Sequence, residues 1–299
     1  SGLNKYQPIE VKNLYNDLNE VTSQAINRRL YAGAITLLEN DKNIIPIKDL
    51  DTLSIAVLNI GDSLNNTFQK SISRYTKTDH YFVTSVPKGK EWGNLLEDLV
   101  KYDLVIIGLY GNSGGVKTNY GISQEAIALI NVIKNKRKVI VSLFANPYAL
   151  DKIDGATLWD GLLVAFENTV EAKDYAGQII FGGEKCNGKL PVTASKYYAY
   201  GEGIQINKCV RLGYVLPEEI GISSQKLKRI DELAIEQIND SAFPGCQILA
   251  SKKGKVFYYR SFGYHTYDSV QPVKNSDLYD LASVTKILST VSATMKLAD

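Results

Sequence analysis

The sequence predicts an α/β fold, a mostly parallel sheet sandwiched by helices, followed by a second domain of the α+β class. Between about residues 20 and 192, short apolar runs alternate with longer amphipathic stretches, as in a parallel sheet covered by helices. After residue 216 the pattern changes to an amphipathic helix and two short strands joined by a glycine-containing turn. A chain of 299 residues has room for two such domains.

Four continuous apolar runs predict the buried strands of the first domain, at residues 54–60, 104–109, 139–144 and 162–166. The stretches around them carry apolar side chains three or four residues apart and predict helices over residues 21–38, 92–101, 123–135 and 170–181. Ser123 is expected to cap the third helix, because its hydroxyl can accept a backbone N–H of the first turn. We place this domain at residues 1–216.

The second domain is expected to span residues 217–299. Pro217 and Gly221 form a polar turn before a helix that begins near Ser223. Strands at residues 247–251 and 256–262 flank a turn in which Gly254 supplies a positive φ. The sequence stops inside an apolar helical pattern without a cap, so we expect the chain to be part of a longer protein.

Charge and composition exclude several classes of function. The 34 Lys and Arg against 32 Asp and Glu leave a formal net charge of +2, too small for the basic surface that nucleic acid requires. The three cysteines and two histidines, His80 and His265, are widely spaced and predict neither a disulfide framework nor a metal site. We expect no cofactor. No stretch approaches the ~20 apolar residues of a membrane span.

The sharpest catalytic motif is the Ser-Val-Thr-Lys sequence at residues 283–286, at the start of a predicted helix. The spacing places Ser283 and Lys286 on one helical face. Lys286 is the only charged residue between Leu281 and Met295, so we expect it to be desolvated, and burial lowers the pKa of an ammonium. A neutral lysine can take the serine proton, and backbone N–H groups can bind the resulting oxyanion, which predicts acyl transfer from an ester, amide or lactam. A helix cap beside a solvated lysine explains the same pattern.

Three other serines lie in sequences that match known catalytic motifs. Ser85 and Ser223 also begin Ser-x-x-Lys sequences, but Pro87 disrupts the first as a helix, and we expect the lysine of the other to be solvated. Ser113 lies in a Gly-x-Ser-x-Gly sequence at residues 111–115, although no helix follows at once as a nucleophile elbow requires. An independent α/β hydrolase that uses Ser113 stays open as an alternative.

Glycoside hydrolysis requires a pair of carboxyl groups, and the pattern does not assign them. Five carboxylates lie near predicted strand ends or helix starts, where caps and surface charges are also expected: Asp103, Asp160, Glu167, Glu171 and Asp174.

Four segments within residues 12–214 resemble the C-terminal α/β sandwich domain of family 3 glycoside hydrolases, the β-N-acetylhexosaminidases and β-glucosidases. They are residues 34–40, residues 44–47 (Ile-Ile-Pro-Ile), residues 146–148 (Asn-Pro-Tyr), and residues 176–183 leading to Gly-Lys-Leu-Pro-Val-Thr at 188–193. In that family a (β/α)8 barrel, typically ~250 residues, precedes this domain and carries the nucleophilic aspartate. The resemblance therefore implies a companion domain whose barrel partner is missing from these residues, and it assigns no acid or base here.

From residue 219 onward the chain is similar to serine β-lactamases and penicillin-binding proteins, especially the class C and esterase-like branch. The matching segments are residues 243–245, 254–256, 262–264 and 279–286. The resemblance implies that Ser283 is the acylated nucleophile and Lys286 its base partner. The family's later motifs, Tyr-x-Asn and Lys or His followed by Thr-Gly or Ser-Gly, do not follow Lys286, which implies an incomplete domain.

Together the two resemblances imply part of a bacterial bifunctional hydrolase, periplasmic or secreted, that acts on a carbohydrate or peptidoglycan-derived substrate. The competing hypothesis is a non-catalytic carbohydrate-binding or scaffold module with a vestigial Ser–Lys pair. An enzyme would form a stoichiometric covalent adduct at Ser283, whereas a binding module would show sugar affinity without an adduct.

Overall fold

The computed structural model describes residues 5, 8, 10–84, 90–111 and 115–298. The chain divides into two compact units, residues 1–222 with 252–256, and residues 223–251 with 257–299. The predicted domain boundary at residue 216 stays a prediction. Helices α1–α8 span Leu14–Leu18, Val21–Ala34, Thr67–Ile72, Lys90–Leu99, Gln124–Lys134, Val170–Ile180, Ser224–Asn239 and Val284–Ala298. Strands β1–β9 span Thr36–Asn40, Ile55–Ile60, Asp79–Val83, Leu104–Tyr110, Lys138–Phe144, Gly161–Val164, Gly213–Tyr214, Gly245–Lys252 and Lys255–Gly263.

The first unit is built on a six-stranded sheet in the order β1-β6-β5-β4-β2-β3. Strands β2 to β6 run parallel, and only β1 pairs antiparallel, with β6 at one edge. The four predicted strands are confirmed as β2, β4, β5 and β6, each within two residues of its expected bounds. The predicted fold class, a mostly parallel sheet between helices, is confirmed.

Apolar side chains fill both faces of this sheet. Along β2, Ile55 and Val57 belong to one core cluster, while Ala56 and Leu58 belong to the other. Helices α4 and α5 pack on the second face, and α2, α3 and α6 pack on the first. Because both faces are covered, the strands read as continuous apolar runs, which is why their positions were predictable.

Three of the four predicted helices around these strands are confirmed as α4, α5 and α6, and side-chain caps mark where α5 and α6 begin. Ser123 Oγ accepts the Ala126 N–H at 3.1 Å, the capping bond expected from the sequence. Thr169 caps α6 in the same way, through the Ala172 N–H at 3.2 Å. These caps satisfy N–H groups that have no partner inside a helix.

The helix predicted over residues 21–38 is wrong at its carboxyl end. Helix α2 ends at Ala34, and β1 begins two residues later. Ile35 and Leu37 are buried in one core cluster and Leu38 in the other, across a register shift in β1. Side chains that are buried on both faces of a sheet belong to an extended strand and not to a helix. Over so few residues, however, the spacing of the apolar residues is similar in a strand and in a helix, so the sequence did not distinguish them.

Strand β3 was not predicted. It pairs in parallel with β2 and lies at the edge of the sheet, where Phe82 is 53% exposed. An edge strand covered on one side needs no continuous apolar run, so the sequence carries no clear signal for it.

The second unit contains α7, most of the hairpin β8–β9, and α8. The hairpin turn has positive φ at both central residues, 52° at Lys253 and 77° at Gly254, as in a type I′ turn. The predicted helix near Ser223 and the two predicted strands are therefore confirmed. Within the first unit, Gly213 and Tyr214 pair in parallel with Lys255 and Val256.

In the part of the chain that the structure describes, none of the helices has the length and apolar character needed to cross a membrane. The described residues likewise include no cluster of three or more His, Cys, Asp or Glu suited to a metal ion. The three cysteines are free.

Candidate active site around Ser283

The structure brings Ser283 and Lys286 together at the amino end of α8. Ser283 directly precedes the helix, and Lys286 Nζ donates to Ser283 Oγ at 3.4 Å. The contact follows from the three-residue spacing, which places both side chains on one face of the first turn. A nucleophile and its base are usually about 2.6–3.2 Å apart, so this contact is slightly longer, and the catalytic role of the pair stays a prediction.

A short turn sets the entry into α8. The Asp280 carboxylate accepts the Ala282 N–H at 2.9 Å, and Ala282 has a left-handed backbone with φ 44°. The N–H of Val284 then reaches the Leu281 carbonyl at 2.9 Å. The serine is therefore presented from a local backbone conformation that is unfavourable for a residue with a Cβ atom.

The expected burial of Lys286 is wrong for this chain. Ser283 and Lys286 are both exposed, as are the apolar side chains of α8, among them Ile287 at 64% and Val291 at 50%. Among residues 115–298 nothing packs over this helix closely enough to bury a side chain. The Lys286 side chain is open to water, so the desolvation on which the predicted activation depends is absent from the described residues.

Two glycines from separate predicted motifs meet in the hairpin of the second unit. A Cβ on Gly245 would lie 2.4 Å from the Tyr264 carbonyl oxygen, and a Cβ on Gly263 would lie 2.3 Å from the Pro244 oxygen. Tyr264 donates its N–H to that same Pro244 oxygen at 2.9 Å. Glycine is required because the two backbone segments approach closer than any side chain allows.

A polar cluster that the sequence analysis missed lies in the segment before Ser283. His265 Nε2 pairs with the Asp277 carboxylate at 2.9 Å, and that carboxylate also accepts the Lys274 N–H at 2.6 Å. The Lys274 N–H and His265 hold the pKa of Asp277 below its usual range. Gln247 donates its amide to the Lys274 and Asp277 carbonyls at 2.5 and 3.0 Å. Apart from Lys274 and Asp277, which are three residues apart, the partners are 12 to 30 residues apart, so local spacing does not reveal the cluster.

His80, also isolated in the sequence, lies in a hydrogen-bonded chain in the first unit. Its Nε2 is 3.0 Å from Ser73 Oγ, and its Nδ1 is 2.7 Å from Asn65 Oδ1. The order resembles a nucleophile, a base and an orienting group. Ser73 Oγ, however, donates to the Gln69 carbonyl at 3.0 Å at the end of α3, and Thr78 Oγ1 also contacts Nε2, at 3.1 Å. We interpret these hydrogen bonds as structural support for the edge strand β3.

The other serine motifs gain no support from the structure. Ser85 and Ser113 lie outside the described residues. Ser223 precedes α7, and Lys226 is exposed on that helix as the sequence predicted.

Four of the five candidate carboxylates make structural contacts in the first unit. Asp103 accepts from Ser54, Asp160 from Lys134 and Val139, Glu167 from Tyr31, and Asp174 from Arg28 and Arg74. Glu171 lies in the first turn of α6. These contacts account for four of the five acidic residues and assign no acid or base.

Residues 230–299 are similar to known proteins. Residues 230–299 match the family model described as Beta-lactamase. A putative D-alanyl-D-alanine carboxypeptidase of Escherichia coli O157:H7 is 35% identical over 88 residues, which are 27% of this chain and 20% of the relative. A putative D-alanyl-D-alanine carboxypeptidase of Salmonella paratyphi B is 34% identical, also over 27% of this chain and 20% of the relative. The chain thus spans about a fifth of the length of the curated relatives it matches.

Solved structures resemble a larger part of the chain. A family 3 β-N-acetylglucosaminidase from Paenibacillus sp. str. FPU-7 has a TM-score of 0.50 and 17% identity, over 64% of this chain and 35% of that one. A β-glucosidase from Erythrobacter marinus has a TM-score of 0.50 and 14% identity, over 68% and 38%. At these identities the likeness shows a shared fold alone. Both predicted resemblances are therefore confirmed, one as a family match over residues 230–299 and one as a fold.

Proposed function

We propose that residues 217–299 are the N-terminal portion of a serine acyl hydrolase, with Ser283 as the acylated nucleophile and Lys286 as its base partner. The observation that carries the proposal is the 3.4 Å contact between Lys286 Nζ and Ser283 Oγ at the start of α8, inside the stretch that matches the Beta-lactamase model. The relatives' name, D-alanyl-D-alanine carboxypeptidase, supports a peptide amide or a related ester or lactam as the substrate class.

The proposed reaction has two steps. Neutral Lys286 Nζ takes the Ser283 Oγ proton while Oγ bonds to the acyl carbon, the bond to the leaving nitrogen or oxygen breaks, and the leaving group takes the proton. Water then hydrolyses the acyl-serine. Because Lys286 is exposed in the described chain, the first step requires a further surface that excludes water from it.

For residues 1–216 we propose the role of companion domain to a β-glycosidase barrel. The support is the α/β fold shared with a family 3 β-N-acetylglucosaminidase and with a β-glucosidase. Joined to an acyl hydrolase, such a domain suits a bifunctional enzyme of bacterial cell-wall glycan, located in the periplasm or secreted. The missing partner is a (β/α)8 barrel, and the 299-residue chain is expected to release no nitrophenol from nitrophenyl N-acetyl-β-glucosaminide. Release would contradict the companion role.

One observation favours a second candidate, a non-catalytic carbohydrate-binding or scaffold module. Ser283 and Lys286 are both exposed, which is also what a vestigial pair would show. The two candidates differ in covalent chemistry, since only an enzyme activates Ser283 toward an electrophile.

Intact-protein mass spectrometry after treatment with a fluorophosphonate or a penicillin tests the proposal. We expect a one-to-one adduct at Ser283 in a form lengthened at its carboxyl end to the full length of the carboxypeptidase relatives, and little or none in the 299-residue chain. Lys286→Ala should abolish the adduct, whereas the matched variant Lys226→Ala, on α7, should keep it. Sugar affinity without any adduct would favour the binding module, and an adduct at Ser113 would favour the independent hydrolase.

A further inference from the structure

The segment before Ser283 contains an unusual pair of features. Asp280 Oδ1 accepts the Ala282 N–H at 2.9 Å, which closes an Asx turn two residues long. Ala282 has a φ of 44°, a left-handed conformation that costs free energy in any residue with a Cβ atom. The carboxylate bond compensates for this cost at the residue that directly precedes the serine.

The left-handed residue fixes where α8 begins. From Ala282 onward, three successive N–H groups bond to carbonyls three residues back: Val284 to Leu281 at 2.9 Å, Thr285 to Ala282 at 3.1 Å, and Lys286 to Ser283 at 3.1 Å. These tight bonds form the first turn, and the turn sets the direction of the Ser283 side chain relative to Lys286.

The Ser283 hydroxyl is not used to cap α8, because the N–H groups of Thr285 and Lys286 bond to the Ala282 and Ser283 carbonyls. A serine at a helix start usually turns its hydroxyl toward a backbone N–H of the first turn. Within residues 115–298 the hydroxyl of Ser283 instead contacts Lys286 Nζ, at 3.4 Å. The anionic side chain of Asp280, three residues earlier, supplies the negative charge that a helix amino end favours.

We infer that Asp280 is a positioning residue for the proposed acyl transfer: it holds Ala282 left-handed, so that α8 starts at Val284 and Ser283 Oγ stays free and within reach of Lys286. Asp280 itself touches neither the hydroxyl nor the amine in this arrangement, and it acts through the backbone of Ala282. The inference rests on the proposed function and names a residue that the Ser-x-x-Lys pattern omits.

The test is the rate of acylation of Ser283 by a fluorophosphonate in the lengthened form. Asp280→Ala should lower the rate constant roughly ten- to hundred-fold, the effect of a reacting group displaced by about 1 Å. Asp280→Asn keeps the acceptor oxygen and should restore the rate to within about two-fold of the parent protein. Adding Ala282→Gly to Asp280→Ala should recover part of the loss, because glycine reaches a positive φ without support.

Asp268→Ala is the matched control, since Asp268 is an exposed acidic residue of another turn in the same unit, bonded to the Thr266 hydroxyl. It should leave the rate and the melting temperature unchanged. A melting temperature that stays constant in Asp280→Ala while the rate falls separates positioning from folding. Labelling of Asp280→Ala at the parent rate overturns the inference and leaves the proposed function standing. A parent protein that is never labelled at Ser283 overturns both.

Discussion

Replacing Asp174 by alanine should destabilise the first unit by about 3 kcal/mol, the lower end of the cost of breaking a buried ion pair. The Asp174 side chain is 4% exposed, and its two oxygens lie 2.7 Å from Arg28 and 2.7 Å from Arg74. Arg28 is 12% exposed but keeps Glu219 at 2.7 Å, and Arg74 is 38% exposed and can regain water. Both facts reduce the penalty, so the lower end of the range applies.

Urea unfolding followed by tryptophan fluorescence measures this loss selectively. Both tryptophans of the chain, Trp92 and Trp159, lie in the first unit, and Trp159 is buried. The matched control is Asp98→Ala on α4, which breaks the ion pair between Asp98 and Lys101. In that pair the Asp98 side chain is 48% exposed and the Lys101 side chain is 69% exposed. The control should barely move the unfolding midpoint, because exposed ion pairs contribute little. A loss below about 1 kcal/mol in Asp174→Ala would refute the argument from burial.

Three further predictions concern backbone, titration and thiol chemistry. Gly263→Ala should destabilise the second unit more than Gly201→Ala destabilises the first. Both glycines have positive φ, but of the two only Gly263 would place a Cβ against another atom, the Pro244 oxygen at 2.3 Å. Equal losses of stability in thermal unfolding would contradict this prediction. Burial lowers the pKa of His80 below its unfolded value of about 6.5, so the stability it contributes is complete above that pH and is lost as the pH falls through and below it. The urea midpoint should therefore drop less between pH 7.5 and 5.5 in His80→Gln, and an equal drop would exclude His80 as the cause. Burial raises the pKa of the Cys186 thiol to about 11. At pH 8 iodoacetamide should therefore modify Cys186 far more slowly than the two partly exposed cysteines. Peptide mass mapping measures the three rates.

The sequence was sufficient for elements whose signal is local. Strands β2, β4, β5 and β6 are buried on both faces, so each is a continuous apolar run that needs no knowledge of its neighbours. The Ser123 cap and the Gly254 turn depend on residues within three positions of each other. The contact between Ser283 and Lys286 belongs to the same class, because helical spacing alone brings the two side chains together.

Tertiary structure decided the features that depend on distant partners. The end of α2 at Ala34 follows from burial of the next residues on two faces of the sheet, and the edge strand β3 exists because β2 offers it an unpaired side. The pairing of His265 with Asp277 joins residues that no helical or strand spacing relates. The exposure of Lys286 was hidden for the same reason: apolar neighbours along a helix predict burial, but water is excluded only where another surface packs against them, and that surface is not part of the local sequence.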